Sequence, residues 1–592
     1  MTKSFSGVIR RCFPIVLLLA LFNICFYCFL LSEGNIKFGL TWWIFFCWVF
    51  CLLLSIIIGW LRINKGFRDN LKKIIKLDWG YLIVVIFWAA SLRLICLPGL
   101  DFILVGDSLR EAGFNSLPLL GGKPFDPFRM GSYSGYGNLV PFIGGISAKL
   151  LGTSALAVRL PAVMLSILTI FFLYLFLRVW RNRKTAFFGS LLLSFSLRYL
   201  YYSRSEMVII SPGLFLVLFL LLALSIKRGQ GGWLLLGLVM GLGCHFYVAT
   251  RPIILLVGSF LVLTAGFFSK KKNLVFLIKK VAGLVLGFVI GLGPAICYFS
   301  YRATGAGVWI GQQPMFAALG LMGKIKLLGL EYFKAVANNF FLPTSPVYFH
   351  YPLTSPLLEW PLNVLAIMAL LVILVKKIRD GLVFLMVALL FGLPFFLQVL
   401  SSDTGQDQRN LANLILGAIF GGFALDWLVG ARLVKRLFGR GYLHLAVVGL
   451  ILFCNLARTV NSYYFDRVSY RAFSDDQAHF PLQQIANHIY QNKQRYQDKE
   501  AGIVVVYDQP GFLHIQEKLA YYAFPLKVDL IHFLDYERRY FSYPVVVYFV
   551  DDYGLSGGAV EHKTICSKAA LPKYDCPLDG AGYSFWVSER LD

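Results

Sequence analysis

Long apolar runs separated by short basic segments set the pattern of this chain almost from end to end. A bilayer span needs roughly 20 mainly apolar residues. Runs of that kind fall at about 13–31, 40–60, 79–97, 155–180, 185–203, 207–226, 233–249, 252–268, 281–300, 357–375, 381–400, 411–429 and 442–459. About thirteen transmembrane helices are therefore predicted. No small-residue cleavage site follows the first run and the second begins almost at once, so the first reads as a retained span. A further apolar stretch, Asn138 to Gly152 ("NLVPFIGGISAKLLG"), is only about 15 residues long and reads as an interfacial or re-entrant helix.

The pattern changes after about residue 460. The remaining 130 or so residues are polar and hold no span. A helical pattern at 474–497 and apolar β-branched runs at 502–508 and 543–552, with a closing strand at 583–590, predict a small α/β domain.

Composition agrees with a polytopic membrane protein: 58% of residues are hydrophobic, 15% are charged, and the mean hydropathy is +0.68. The net charge of +25 would suit nucleic acid if it were spread over a surface, but it is not. It gathers in seven tracts between spans: Lys3–Arg11, Arg62–Lys76, Arg178–Lys184, Lys227–Arg228, Lys270–Lys280, Lys376–Arg379 and Arg432–Arg440. Threading thirteen spans from a cytoplasmic N-terminus puts every tract on one side, the positive-inside bias. No nucleic-acid partner is implied. A fourteenth span at 138–152 would invert all later tracts. Residues 98–154 and 301–356 then become outer loops, and the tail 461–592 is extracytoplasmic. The division expected is 1–78, two N-terminal spans with a basic cytoplasmic loop; 79–460, a transmembrane catalytic domain; and 461–592, the α/β domain.

Against that frame the polar residues of the outer side stand out. "LPGLDFILVGDSLREAG", Leu97 to Gly113, opens the first large outer loop. A carboxylate such as Asp107 is expensive to keep beside hydrocarbon without a role. Arg159, Arg204, Arg251 and Arg409 sit at outer span ends, against the general bias. Guanidinium groups at one depth can grip a phosphate with two-pronged hydrogen bonds; the plain alternative for each is a snorkelling anchor. His245 near an outer span end and His350 in the loop at 301–356 are candidate substrate contacts, or a satisfied buried histidine and a surface one. Tyr247 suits an aromatic belt equally well. Nine of eleven cysteines lie in or beside spans and read as small buried hydrophobes. Cys566 and Cys576, both in the outer tail, are expected to form a disulfide.

The succession "PGLDFILVGDSLREAGF", "LLGTSALAVRLPAVMLSILTIFFLYLFLRVWRNRKTAFFGSLLLSFSLRYLYYSRSEM", "WLLLGLVMGLGCHFYVATRPIILL", with "TSPVYFHYPLTSPLLEWPLNVLAIMALL" and "QRNLANLILGAIFGG", resembles the GT-C glycosyltransferases. Within them it is most similar to the protein-O-mannosyltransferase and aminoarabinose-transferase branch, over roughly residues 80–460. The resemblance implies an integral-membrane transferase that takes a sugar from a polyprenyl-phosphate carrier at the outer face. It also implies a catalytic base in the first outer loop, at Asp107. Ser108 stands where a Glu usually follows, and Asn138 where an acidic residue often precedes the proline of the interfacial helix. Glu111, Asp126 and Glu206 remain open as the second carboxylate.

The expectation is thus a polytopic α-helical, GT-C-like membrane protein of the plasma membrane. Asp107 and Glu111 would be catalytic; Arg159, Arg204, Arg251, Arg409 and His245 would hold the donor phosphate; Glu206, Asn138, His350 and Tyr247 would make other substrate contacts. The partners are a polyprenyl-phosphate sugar, membrane lipids and a glycan, lipid or protein acceptor. No cofactor is named, and a divalent cation is left open. A lipid or solute transporter would gather its ionisable residues near the midplane, whereas here they lie at one face. A non-catalytic component of envelope glycan assembly would not require Asp107.

Overall fold

The computed structural model of the chain describes residues 2–32, 38–95, 97, 113–129, 137–205, 207–226, 231–267, 274–301, 318–343, 355–378, 380–399, 408–430, 443–465, 479–507, 521–526, 528–532, 545–550, 573–575 and 584–590. Its helices are α1 (Thr2–Ser32), α2 (Phe38–Arg62), α3 (Lys65–Leu77), α4 (Trp79–Leu94), α5 (Leu117–Leu120), α6 (Leu139–Leu151), α7 (Ala155–Trp180) and α8 (Arg183–Ser194). There follow α9 (Leu197–Ser205), α10 (Met207–Ile226), α11 (Gly231–Gly243), α12 (Thr250–Phe267), α13 (Leu274–Leu292) and α14 (Ile296–Tyr301). The last are α15 (Leu321–Phe340), α16 (Leu362–Val375), α17 (Gly381–Pro394), α18 (Ala412–Gly430), α19 (Leu443–Val460) and α20 (His479–Asp498).

Among the described residues, eight helices are long and apolar enough to cross a membrane, or nine if the bent pair α3–α4 counts as one span. They coincide with eight of the predicted runs. The other predicted runs form helices that are shorter or broken. The run at 185–203 breaks at Phe195–Ser196 because its polar groups hydrogen-bond elsewhere. The Phe195 carbonyl accepts from Thr459 at 2.5 Å, the Arg198 amide donates to the Glu359 carboxylate at 3.2 Å, and Ser194 bonds back to Ser190. The basic stretch after α2, expected as a loop, is the amphipathic helix α3. It meets α4 at 74°. At the bend the buried Asp78 carboxylate accepts from Arg178 and Arg183, at 2.6 Å each, and from Tyr174 at 3.3 Å. One basic tract is thereby tied to the foot of α4.

Helices pack closely where the sequence supplies glycine. Gly237 and Gly241 of α11 lie against Gly287 and Gly291 of α13. A Cβ at any of the four would collide with backbone, for instance with the Leu284 carbonyl at Gly237 or the Leu238 carbonyl at Gly291. This is the small-xxx-small device that lets membrane helices approach backbone to backbone. Residue numbers rise together along the seam, so the two helices run parallel and α12 carries the chain back between them. Gly189 of α8 meets Gly422 of α18 in the same way: a Cβ at Gly422 would lie 2.7 Å from the Gly189 Cα. Outward-facing apolar side chains, such as Leu18, Phe22, Trp43, Phe384 and Phe453, are exposed, as befits a surface solvated by lipid.

In the tail, β1 (Gly502–Tyr507), β2 (Val528–His532), β3 (Val545–Val550), β4 (Lys573–Asp575) and β5 (Ser584–Arg590) form one mixed sheet in the order β2-β1-β3-β5-β4. β1 is parallel to β2 and β3, while β5 is antiparallel to β3 and β4. Ile503, Val504 and Val505 are buried, as expected of a central parallel strand. The tail rests on the end of α6. Lys493 donates to the Thr153 hydroxyl at 3.0 Å, and Tyr521 to the Ser154 carbonyl at 3.5 Å. Gly152 has φ +74°, and a Cβ there would press on the Tyr490 hydroxyl at 2.8 Å, so glycine is required twice over.

Candidate active site

Two groups of polar side chains gather at the end of the bundle opposite Asp78, Arg178 and Arg183. The first surrounds the C-terminal end of α4. Arg204, from α9, donates to the carbonyls of Leu92 at 2.9 Å and Ile95 at 2.8 Å, and to the Tyr464 hydroxyl at 2.7 Å. Arg159, near the start of α7, donates to the Leu97 carbonyl at 3.1 Å. Carbonyls left open at a helix end attract cations, so both arginines hold the point from which the Asp107 loop departs. Arg93 joins them from α4 itself. It donates to Ser166 at 2.5 Å and to its own turn at Ala89, and lies 5.5 Å from the Tyr199 ring. Tyr463 and Tyr464, at the end of α19, close the group. Arg204 lies over both rings, and Arg93 and Arg159 act electrostatically on Tyr463. All three arginines are buried. Neither Arg93 nor Arg204 is paired with a carboxylate among the described residues, and Arg93 Nη2 is buried without a hydrogen-bond partner there.

The second group centres on Asp126. Its Oδ2 accepts from Tyr27 of α1 and Tyr298 of α14 at 2.6 Å each, and its Oδ1 from the Phe128 amide at 3.0 Å. The residues beside those tyrosines are Cys28 and Cys297, which form a disulfide. Both had been expected as inert buried hydrophobes, and apolar surroundings alone gave no hint of their pairing. Asn138 donates to the Asp126 carbonyl at 2.7 Å, and the Gly137 amide to the His245 carbonyl at 2.7 Å. The His245 ring is buried, with Nε2 3.0 Å from the Leu292 carbonyl and its centroid 5.3 Å from that of Trp48.

The predicted site residues are thus distributed as follows. Arg159 and Arg204 come together, with Arg93 as a third member that sequence reading missed. Its signal was present, since an ionisable side chain inside an apolar run is itself a functional pointer. Asn138 and His245 share the second group, and Arg251 is within electrostatic reach of His245 and Cys244. Tyr247 is buried in the turn before Arg251, its carbonyl accepting from the Thr250 amide at 2.9 Å. Arg409 is half-buried in a short turn beside Asn410, which donates to Asn339 at 2.8 Å. Asp107, Glu111, Glu206, His350, Cys566 and Cys576 lie outside the described residues. Tyr27 and Tyr298 carried no signal in the sequence.

Residues 137–292 match the family model for dolichyl-phosphate-mannose-protein mannosyltransferase. No curated protein matches the chain. Among solved structures it is similar to ArnT from Cupriavidus metallidurans in the apo state, at 14% identity over 86% of this chain and 98% of that one, with a TM-score of 0.48. The same protein bound to undecaprenyl phosphate gives 13% identity, the same coverage and a TM-score of 0.44. The archaeal oligosaccharyltransferase AglB from Archaeoglobus fulgidus, in complex with an inhibitory peptide and a dolichol-phosphate, gives 15% identity over 76% of this chain and 64% of that one, with a TM-score of 0.44. The matched segment holds Asn138, Arg159, Arg204, His245 and Arg251.

Proposed function

We propose that the chain is a GT-C glycosyltransferase that moves a sugar from a polyprenyl-phosphate donor to an acceptor hydroxyl or phosphate at the outer face of the plasma membrane. The acceptor is a glycan, a lipid or a protein side chain. In this reading the N-terminus is cytoplasmic, residues 79–460 carry the chemistry, and the tail 461–592 is extracytoplasmic. The Asp107 carboxylate takes the proton from the acceptor as its oxygen bonds to the anomeric carbon. The bond from that carbon to the carrier phosphate breaks, and the phosphate leaves with the electron pair. Its growing charge needs fixed cations in a water-poor site.

The observation that supports this reading is the buried pair Arg93 and Arg204, which meet no carboxylate among the described residues, at the end of α4 from which the chain runs on to Asp107. Buried charge without a counter-charge is costly, and Arg93 keeps one buried donor unused among the described residues. A lipid phosphate would supply both the charge and the acceptor. Arg159 and Arg204 already bind the end of α4, so they would hold the loop while Arg93 faces the phosphate. Arg251 and His245 belong to the neighbouring group and would contact the sugar side or the acceptor.

Undecaprenyl phosphate added to the purified protein should raise its melting temperature by mass action. The rise should vanish in Arg93→Gln, while uncharged polyprenol should have no effect on either protein. Equal stabilisation of wild type and variant would remove the arginine group from the donor site. Failure to consume any polyprenyl-phosphate sugar in an extracted-lipid assay would count against the transferase itself.

A further inference from the structure

At the opposite end of the bundle, α3 lies at 74° to α4 and so runs across the bundle axis. Its sequence, KGFRDNLKKIIKL, buries Phe67, Leu71 and Ile74 on one face, while Lys72, Lys73 and Lys76 are exposed. Asn64 caps its first turn by accepting from the Gly66 amide at 2.8 Å. Buried inward and basic outward, a helix in this attitude suits the boundary between hydrocarbon and water.

Side chains at the junction with α4 sharpen the point. Lys72 and Lys76 are one turn apart and therefore on the same face. With Ile75 and Trp79 they line an open cavity of about 450 Å³. Trp79 is 61% exposed and Leu77 56%, which costs little where lipid covers them. Indole rings favour the headgroup level, and lysine binds phosphate as a point charge. Asp69 is the one carboxylate within the sequence of α3, and Asp78 at the bend is already neutralised by Arg178 and Arg183. None of the described residues that line the cavity (Lys72, Ile75, Lys76 and Trp79) is acidic.

We propose that this cavity between α3 and α4 binds the headgroup of an anionic phospholipid, Lys72 and Lys76 holding its phosphate and Trp79 packing against its glycerol and upper acyl chain. The cavity lies away from both polar groups described above, and the proposal stands whatever the protein transfers.

The full-length protein in a neutral detergent would be given phosphatidylglycerol or phosphatidylcholine, and bound lipid read by native mass spectrometry. Phosphatidylglycerol should be retained in preference, and inorganic phosphate at equal concentration should not displace it. Lys72→Gln with Lys76→Gln should lower retention about tenfold or more, the loss expected for two basic residues at an anionic surface. Lys72→Arg with Lys76→Arg should keep it, which separates lost charge from misfolding. Equal retention of the two lipids, unchanged retention in the glutamine variant, or displacement by phosphate alone would each overturn the proposal.

Discussion

Asp126 puts a carboxylate to a different use from the one proposed for Asp107. The Tyr27 and Tyr298 hydroxyls and the Phe128 amide donate to the Asp126 carboxylate, and Asn138 donates to its backbone carbonyl, so Asp126 ties this segment to α1 and α14. Asp126→Asn should cost roughly 1–3 kcal/mol in thermal or denaturant stability, because a phenol then faces a poorer acceptor or another donor. Asp107→Asn should instead leave stability near wild type and lower turnover by roughly 10²–10⁴-fold, as for a lost general base. A variant pair with the opposite pattern would exchange the two roles. The sequence made Asp107 visible because its neighbours are apolar and its segment resembles a family motif. It could not show Asp126 as an anchor, since Tyr27 and Tyr298 lie 99 and 172 residues away in runs that look like ordinary spans. Arg93 is legible as an ionisable side chain inside an apolar run.

Among the elements, the glycine seam between α11 and α13 has the sharpest tolerance. Gly237→Leu should force the helices apart, at a cost of about 1–3 kcal/mol or more for overpacking, and lower the melting temperature. Gly430→Ala, in open space at the end of α18, should not. If both variants melt alike, the seam is not a packing constraint. Hydropathy found the helices because each must be apolar outside, but it could not find the breaks. The interruption between α8 and α9 depends on Thr459 and Glu359, far along the chain. The bend at Asp78 depends on Arg178 and Arg183. The same limit applies to the sheet: β1 and β3 are apolar β-branched runs and β5 falls within 583–590, whereas β2 and β4 are short and polar enough to pass for loop.

For the whole molecule, the contacts have a single sidedness. Tyr27, Arg93, Asp126, Arg159, Arg204, His245, Tyr298 and Tyr463 meet at one end, while Asp78 meets Arg178 and Arg183 at the other. Exposed Gln494→Cys in α20 should accordingly react with a membrane-impermeant maleimide on intact cells, above the wild-type background. Lys73→Cys in α3 should react only after the membrane is opened. Labelling of position 73 from outside would invert the orientation and, with it, the face on which transfer is proposed.

The Cys28–Cys297 link spans 269 residues, and that separation has a consequence for biosynthesis. At about 5–20 residues per second, α1 waits on the order of tens of seconds before its partner thiol exists. During that interval Cys28 has a competitor one turn away on its own helix, the exposed Cys25. The first helix must therefore reach an oxidising compartment without being captured early, and the finished bond records that the chain has been threaded as far as α14. Pulse-labelled chains truncated before residue 297 should carry a free, alkylatable thiol at Cys28, and longer ones should not. Removing residues 1–78 as a dispensable preface would leave Cys297 unpaired and Asp126 without one of its two phenols.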